Sequence, residues 1–180
     1  MRIAVYCSAS DDIPEAFLKQ GDRLGRWLAR NGHTLVFGGA TGGLMSRVSL
    51  AVQENGGKII GVVPERIIHS GRKCEWCTEL IVVSSMAERK QKMRELADAF
   101  ICMPGGYGTM DEMMDILASG TVGEHRKPCF IFNYRAFYSR LISLFGQMKR
   151  MHFLPKEESY TPAVVKSLDE IFLTINTLTQ

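Results

Sequence analysis

Ala99-Phe100-Ile101-Cys102-Met103-Pro104-Gly105-Gly106-Tyr107-Gly108-Thr109-Met110-Asp111-Glu112 joins an unbroken apolar run to a glycine-rich turn, then to a hydroxyl and two carboxylates. A strand with one wet face alternates apolar and polar residues, so a run apolar at every position from 99 to 103 predicts a strand covered on both faces. Beyond the turn, apolar residues at helical spacing predict a helix from Met110 to about Ser119. Strand, short turn and helix in that order make half of a parallel β-α-β unit.

The same alternation extends outward. Upstream, 3–7 is a short apolar run, and 14–30 places Phe17, Leu18, Leu24, Trp27 and Leu28 largely on one helical face. Strands at 34–37, 58–63 and 80–83 and helices at 44–55 and 85–97 follow, with Asn55-Gly56-Gly57 as a helix stop and Pro64 closing a strand. The stretch 65–78 reads as a loop or short helix of mixed charge. Downstream come a strand at 129–132, a helix at 135–150 and a terminal helix at 164–178. The prediction is an α/β fold, a doubly wound parallel sheet. With no internal repeat and no linker, residues 1–180 form a single domain, long enough for a full core. Ligands of such sheets sit beyond the carboxyl ends of the strands, and both glycine-rich segments, 38–43 and 104–108, fall there. Each opens a helix, and helix N-termini gather N–H groups and positive charge suited to an anion.

Composition narrows the ligand class. A formal charge of +3, with acids and bases interspersed, falls short of the cationic stripe that nucleic-acid grooves need, so nucleic acid is not expected as a partner. Residues 1–10 hold one Arg and a short apolar run before Asp11 and Asp12, which is no export signal. The other apolar runs are strand-sized, well short of the ~20 residues a membrane span requires. A soluble protein without membrane contact is expected. Five cysteines, three of them in or beside apolar runs, suit a reducing, cytoplasmic setting. Cys74-Glu75-Trp76-Cys77 has zinc-knuckle spacing, but His69 is the one imidazole nearby, so the expectation is two thiols in a loop and no metal.

Three segments carry chemistry. In the first, Gly105, Gly106 and Gly108, with Tyr107 between them, let backbone approach a phosphate; Thr109 adds a hydroxyl, and Glu112 lies a helical step on, within reach of a ribose. Thr109-x-x-Glu112 is equally a capping box. In the second, Gly39 and Gly43 mark a loop that lacks the Lys of a Walker A motif and the G-x-G-x-x-G spacing, which favours a mononucleotide over a nucleoside triphosphate or a dinucleotide. In the third, Ser85 and Glu88 form a capping box, and Arg89 projects between Met93 and Leu96 on the apolar face shared by Met86 and Ala97. A guanidinium on a core-facing stripe demands an anion. A structural ion pair with Glu112 or another acid is one answer, and a substrate the other. Lys90 either assists with phosphate or is solvated. Of the four histidines, His125 alone is kept as a pocket candidate, and the methionines read as core filler.

Gly38-Gly39 through Gly43-Leu44-Met45, Ile60 to Pro64, Glu79 to Val83 with Met86 and Arg89-Lys90, Glu95 to Phe100, and Pro104 to Glu112 together resemble the LOG family over most of the chain. Its members, often mislabelled lysine decarboxylases, act as cytokinin riboside 5′-monophosphate phosphoribohydrolases. The resemblance implies a Rossmann-like homodimer, in which Gly105 to Thr109 hold the 5′-phosphate of a nucleoside monophosphate and Arg89 with Glu112 form the catalytic pair, with no cofactor. Where the family usually has Trp and Gln after the signature helix this chain has Ser119 and Thr121; Ala87 stands for a usual His, and Ala40 for a third consecutive Gly. These departures bear on the base, more than on phosphate and ribose. A non-catalytic nucleotide or cofactor carrier is the alternative of the same fold.

Overall fold

The computed structural model describes residues 1–154 and 160–178. Among them the chain runs β1 (Arg2–Tyr6), α1 (Glu15–Arg30), β2 (Thr34–Phe37), α2 (Gly43–Glu54), β3 (Lys58–Pro64), α3 (Glu65–His69), β4 (Glu79–Val83), α4 (Met86–Leu96), β5 (Ala99–Cys102), α5 (Tyr107–Thr121), β6 (Cys129–Phe132), α6 (Ser139–Arg150), β7 (Ala163–Val165) and α7 (Leu168–Leu178). The strands pair in parallel in the order β4-β3-β2-β1-β5-β6-β7, a Rossmann-like doubly wound sheet.

Burial explains the apolar runs. Every residue of β5 and β6 is buried, because each face of the sheet carries a helical layer. On one face Leu24 and Leu28 of α1, Leu44 and Val48 of α2 and Ile171 of α7 pack in one cluster; on the other lie Met93 of α4, Met113 and Ile116 of α5 and Tyr138. From β1 the chain winds outward to the edge strand β4, and α4 then carries it back to β5 on the other side of β1. The order therefore reverses between β1 and β5, and the crevice beyond their carboxyl ends is the place where such sheets bind ligands.

Three boundaries differ from the sequence expectation. Helix α5 begins at Tyr107, three residues before Met110, because the Met110 N–H already donates to the Gly106 carbonyl at 3.0 Å. The terminal helix does not start at 164: Val164 and Val165 pair with Ile131 and Phe132 as β7, and α7 starts at Leu168, where the Glu170 carboxylate accepts from the Ser167 N–H at 2.9 Å. Arg135 (φ 50°) and Ala136 (φ 60°) are left-handed, so α6 starts at Ser139 instead of 135. Among the described residues no helix is long and apolar enough to cross a membrane.

Candidate active site

Helix α4 is anchored at its start. Ser85 Oγ accepts from the Glu88 N–H at 3.1 Å, and the Glu88 carboxylate accepts from the Ser84 N–H and hydroxyl at 2.8 and 2.7 Å, one residue earlier than a strict capping box requires. Arg89 follows in the first turn and enters the core side of the helix, its side chain 11% exposed. Its Nη2 donates to Oε1 of Glu112, whose side chain is 5% exposed. The guanidinium lies against the end of β2, where a Cβ added to Gly38 would stand 2.7 Å from Nη2. Nη1 reaches Met86 Sδ at 3.7 Å, and among the described residues the buried Nε has no acceptor. Burial pulls the Arg89 pKa down, opposed by Tyr6, Asp111 and Cys7. A guanidinium stays charged even so, and the pair is ionic.

The capping-box alternative for Thr109 and Glu112 fails here. Gly106 caps α5, so Thr109 is the third helical residue and Glu112 the sixth, both buried inside the helix. What the segment does instead is line a cleft of about 260 Å³ at the switch point, where Gly106, Gly108 and Thr109 present the α5 N-terminus beside Arg89 and Glu112. The turn depends on Gly105, where a Cβ would meet Thr109 Oγ1 at 2.1 Å and the Ser8 nitrogen at 3.0 Å. Cys7, also in the cleft, has its thiol pushed up to about 12 by burial, so it is protonated at neutral pH and no nucleophile.

Other residues singled out from the sequence lie elsewhere. Gly39 packs on β3 and its carbonyl accepts from the Cys74 N–H at 2.8 Å; Gly38 and Ala40 face the cleft in its place. The Gly43 N–H donates to Asp11 Oδ1 at 2.8 Å, so a carboxylate of the chain already occupies the N-terminus of α2, leaving that of α5 for an external anion. Lys90 is held by Asp111 at 2.7 Å and Asp115 at 3.7 Å, outside the cleft. Tyr107 is almost wholly exposed, and Gly105 backs onto a neighbouring apolar hollow with Phe17 and Phe137. His125 is not a pocket residue: it lies in the core against Phe100 and Tyr160, with Nε2 on the Ile116 carbonyl at 3.0 Å. The Ser119 and Thr121 hydroxyls return to carbonyls of their own helix, each at 2.7 Å, and Ala87 is exposed.

Arg72, which sequence reasoning missed, lines the cleft and donates to the carbonyls of Ala9 at 3.2 Å and Thr41 at 2.9 Å. Its own carbonyl accepts the Thr41 N–H at 2.7 Å, and Ala40 forms a bridge with Lys73. The stretch around Arg72 is thus a strap across the first glycine loop. Its mixed charge was the signal available, and mixed charge alone points nowhere.

A parallel sheet with a buried ion pair and an open helix N-terminus at its switch point defines a Rossmann-like α/β protein with an ionic cleft. The chain belongs to the LOG family: the sequence profile described as "Possible lysine decarboxylase" matches residues 45–175, and relatives carry the LOG name. It is 38% identical over 145 residues to a probable cytokinin riboside 5′-monophosphate phosphoribohydrolase of Oryza sativa subsp. japonica, covering 81% of this chain and 63% of that one. To the cytokinin riboside 5′-monophosphate phosphoribohydrolase of Mycobacterium marinum it is 33% identical over 168 residues, covering 93% and 89%. The chain thus spans just under two thirds of some rice relatives and most of the bacterial one. Among solved structures, the molybdenum cofactor carrier protein of Chlamydomonas reinhardtii superposes with a TM-score of 0.76 at 19% identity, over 99% of this chain and 97% of that one. At that identity the likeness is one of fold.

Proposed function

We propose that the chain hydrolyses the N-glycosidic bond of a nucleoside 5′-monophosphate, AMP or an N6-modified AMP, giving free base and ribose 5-phosphate. The observation that carries this is the Arg89–Glu112 ion pair, buried beside the α5 N-terminus in the switch-point cleft. The names of the relatives support the same chemistry. Amides of Gly106 to Thr109 hold the phosphate, as a helix N-terminus does. Glu112 receives the ribose hydroxyls and stabilises the positive charge that develops on the sugar as the C1′–N bond breaks. Water adds to C1′, the bond electrons leave with the base, and the base takes up a proton. Arg89 fixes the carboxylate and supports the departing base. Lysine-based decarboxylation has no support, because among the described residues no lysine lines the cleft.

The protein is proposed to act in the cytoplasm as a homodimer, with no nucleic acid or membrane partner. Met86, exposed where it lines the cleft, and Val82, exposed on the edge strand β4, suit a second subunit. Purified protein incubated with AMP should release adenine and ribose 5-phosphate, and sedimentation should give twice the chain mass. Tight AMP binding without release of adenine would move the assignment to the carrier.

A further inference from the structure

The strap over the cleft ends in two thiols that the proposed hydrolysis does not use. Glu75 and Trp76 form a turn, with Cys74 before it and Cys77 after it. A four-residue turn brings its ends within about 7 Å, which overlaps the Cα separation of about 4.4–6.8 Å that a disulfide needs. Cys77 Sγ lies against β3, where a Cβ added to Gly61 would stand 2.9 Å from it, and the Cys74 N–H donates to the Gly39 carbonyl at 2.8 Å. Trp76 Nε1 donates to Ser49 Oγ at 3.1 Å and pins the turn to α2. The neighbouring Cys77 thiol, with the Trp76 and Cys77 N–H groups, draws the Cys74 pKa down against burial and Glu75, while the contact with Cys74 and burial push the Cys77 thiol up. Cys74 is buried and Cys77 partly exposed, so a small reagent enters past Cys77. Cys102 and Cys129, on the neighbouring strands β5 and β6, are both buried in the core.

We propose that Cys74 and Cys77 are a redox-active dithiol which a hydroperoxide closes to an intramolecular disulfide, resetting the strap that places Arg72 in the cleft. Cys74 sulfur, as the thiolate, attacks the peroxide oxygen, the O–O bond breaks, and the alcohol or water leaves with the proton that Cys74 gave up, giving a sulfenic acid. Cys77 sulfur then attacks Cys74 sulfur and the S–O bond breaks, releasing water with the Cys77 thiol proton. Cys74 N–H holds Gly39, and Arg72 and Lys73 hold Thr41 and Ala40, so strain in the turn passes directly to the first glycine loop. The effect on ligand binding rests on the cleft being the site proposed above; the chemistry of the thiols does not.

Two measurements on the whole protein treated with hydrogen peroxide decide it. Mass mapping of the tryptic fragment that follows Lys73 should show loss of two hydrogens, restored by dithiothreitol. Calorimetry should show the AMP Kd shifted by about five-fold or more, the lower end of ordinary coupling between sites. Cys77→Ser should abolish both changes while still binding AMP. Oxidation reaching Cys7, Cys102 or Cys129 first, or no disulfide at 74–77, overturns the dithiol; a disulfide with unchanged AMP affinity overturns its link to the cleft. Failure of the reduced protein to bind AMP counts against the proposed function and leaves the mapping intact.

Discussion

Glu112 and Arg89 each answer a need of the other: a buried carboxylate and a guanidinium turned toward the core are both costly unless paired. Glu112→Gln keeps size and an acceptor for Arg89 while removing the charge. It should lower kcat for AMP by about 100-fold or more, with the circular dichroism spectrum unchanged. Near-normal turnover in the folded variant would remove the carboxylate from the mechanism. Gly38→Ala tests the other flank: its Cβ would lie 2.7 Å from Arg89 Nη2, so the guanidinium must shift and kcat should fall at near-normal expression. Arg89 was legible in the sequence because a cation on an apolar stripe is an anomaly that periodicity exposes. Arg72 and Asp11 were not, since both act on backbone groups of loops far away in the chain, and no spacing rule encodes such contacts.

At the scale of elements, the cap of α4 sets the direction of Arg89. Ser85→Ala removes the acceptor of the Glu88 N–H and should cost about 1 kcal/mol, read as a lower urea midpoint with faster amide exchange in the first turn of α4. An unchanged midpoint would mean that Ser84 and Glu88 suffice. The buried strands were readable because enclosure on both faces leaves no polar alternation to confuse. The start of α7 was missed although its signal was present: Ser167-x-x-Glu170 caps the helix, and the β-branched pair Val164 and Val165 before it belongs to the sheet edge. Helical spacing alone ran the two together.

Over the whole molecule, two buried histidines tie stability to pH. Burial lowers the pKa of His125, with Lys127 and Arg94 pushing the same way and the Ile116 carbonyl and Glu124 opposing. Burial, then the charged N-terminus, lowers that of His33. Each folded value lies below the unfolded one, so the fold prefers the neutral ring. The stabilisation is complete above about 6.5, the ordinary histidine value, and is lost as pH falls through it toward the lowered folded values. Urea midpoints should drop between about pH 7 and 5, and His125→Asn should flatten part of that drop; a level wild-type profile would refute the linkage.

Arg89 and Glu112 are 23 residues apart in sequence, but the strands leading to them, β4 and β5, have three others between them in the sheet. During refolding, α4 and α5 can each coil early without touching in the right place, because the distance between them is fixed only when β3, β2 and β1 fill the gap. Recovery of turnover should therefore lag behind recovery of helical signal. A chain stalled with its central strands undocked would be largely helical and wholly inert.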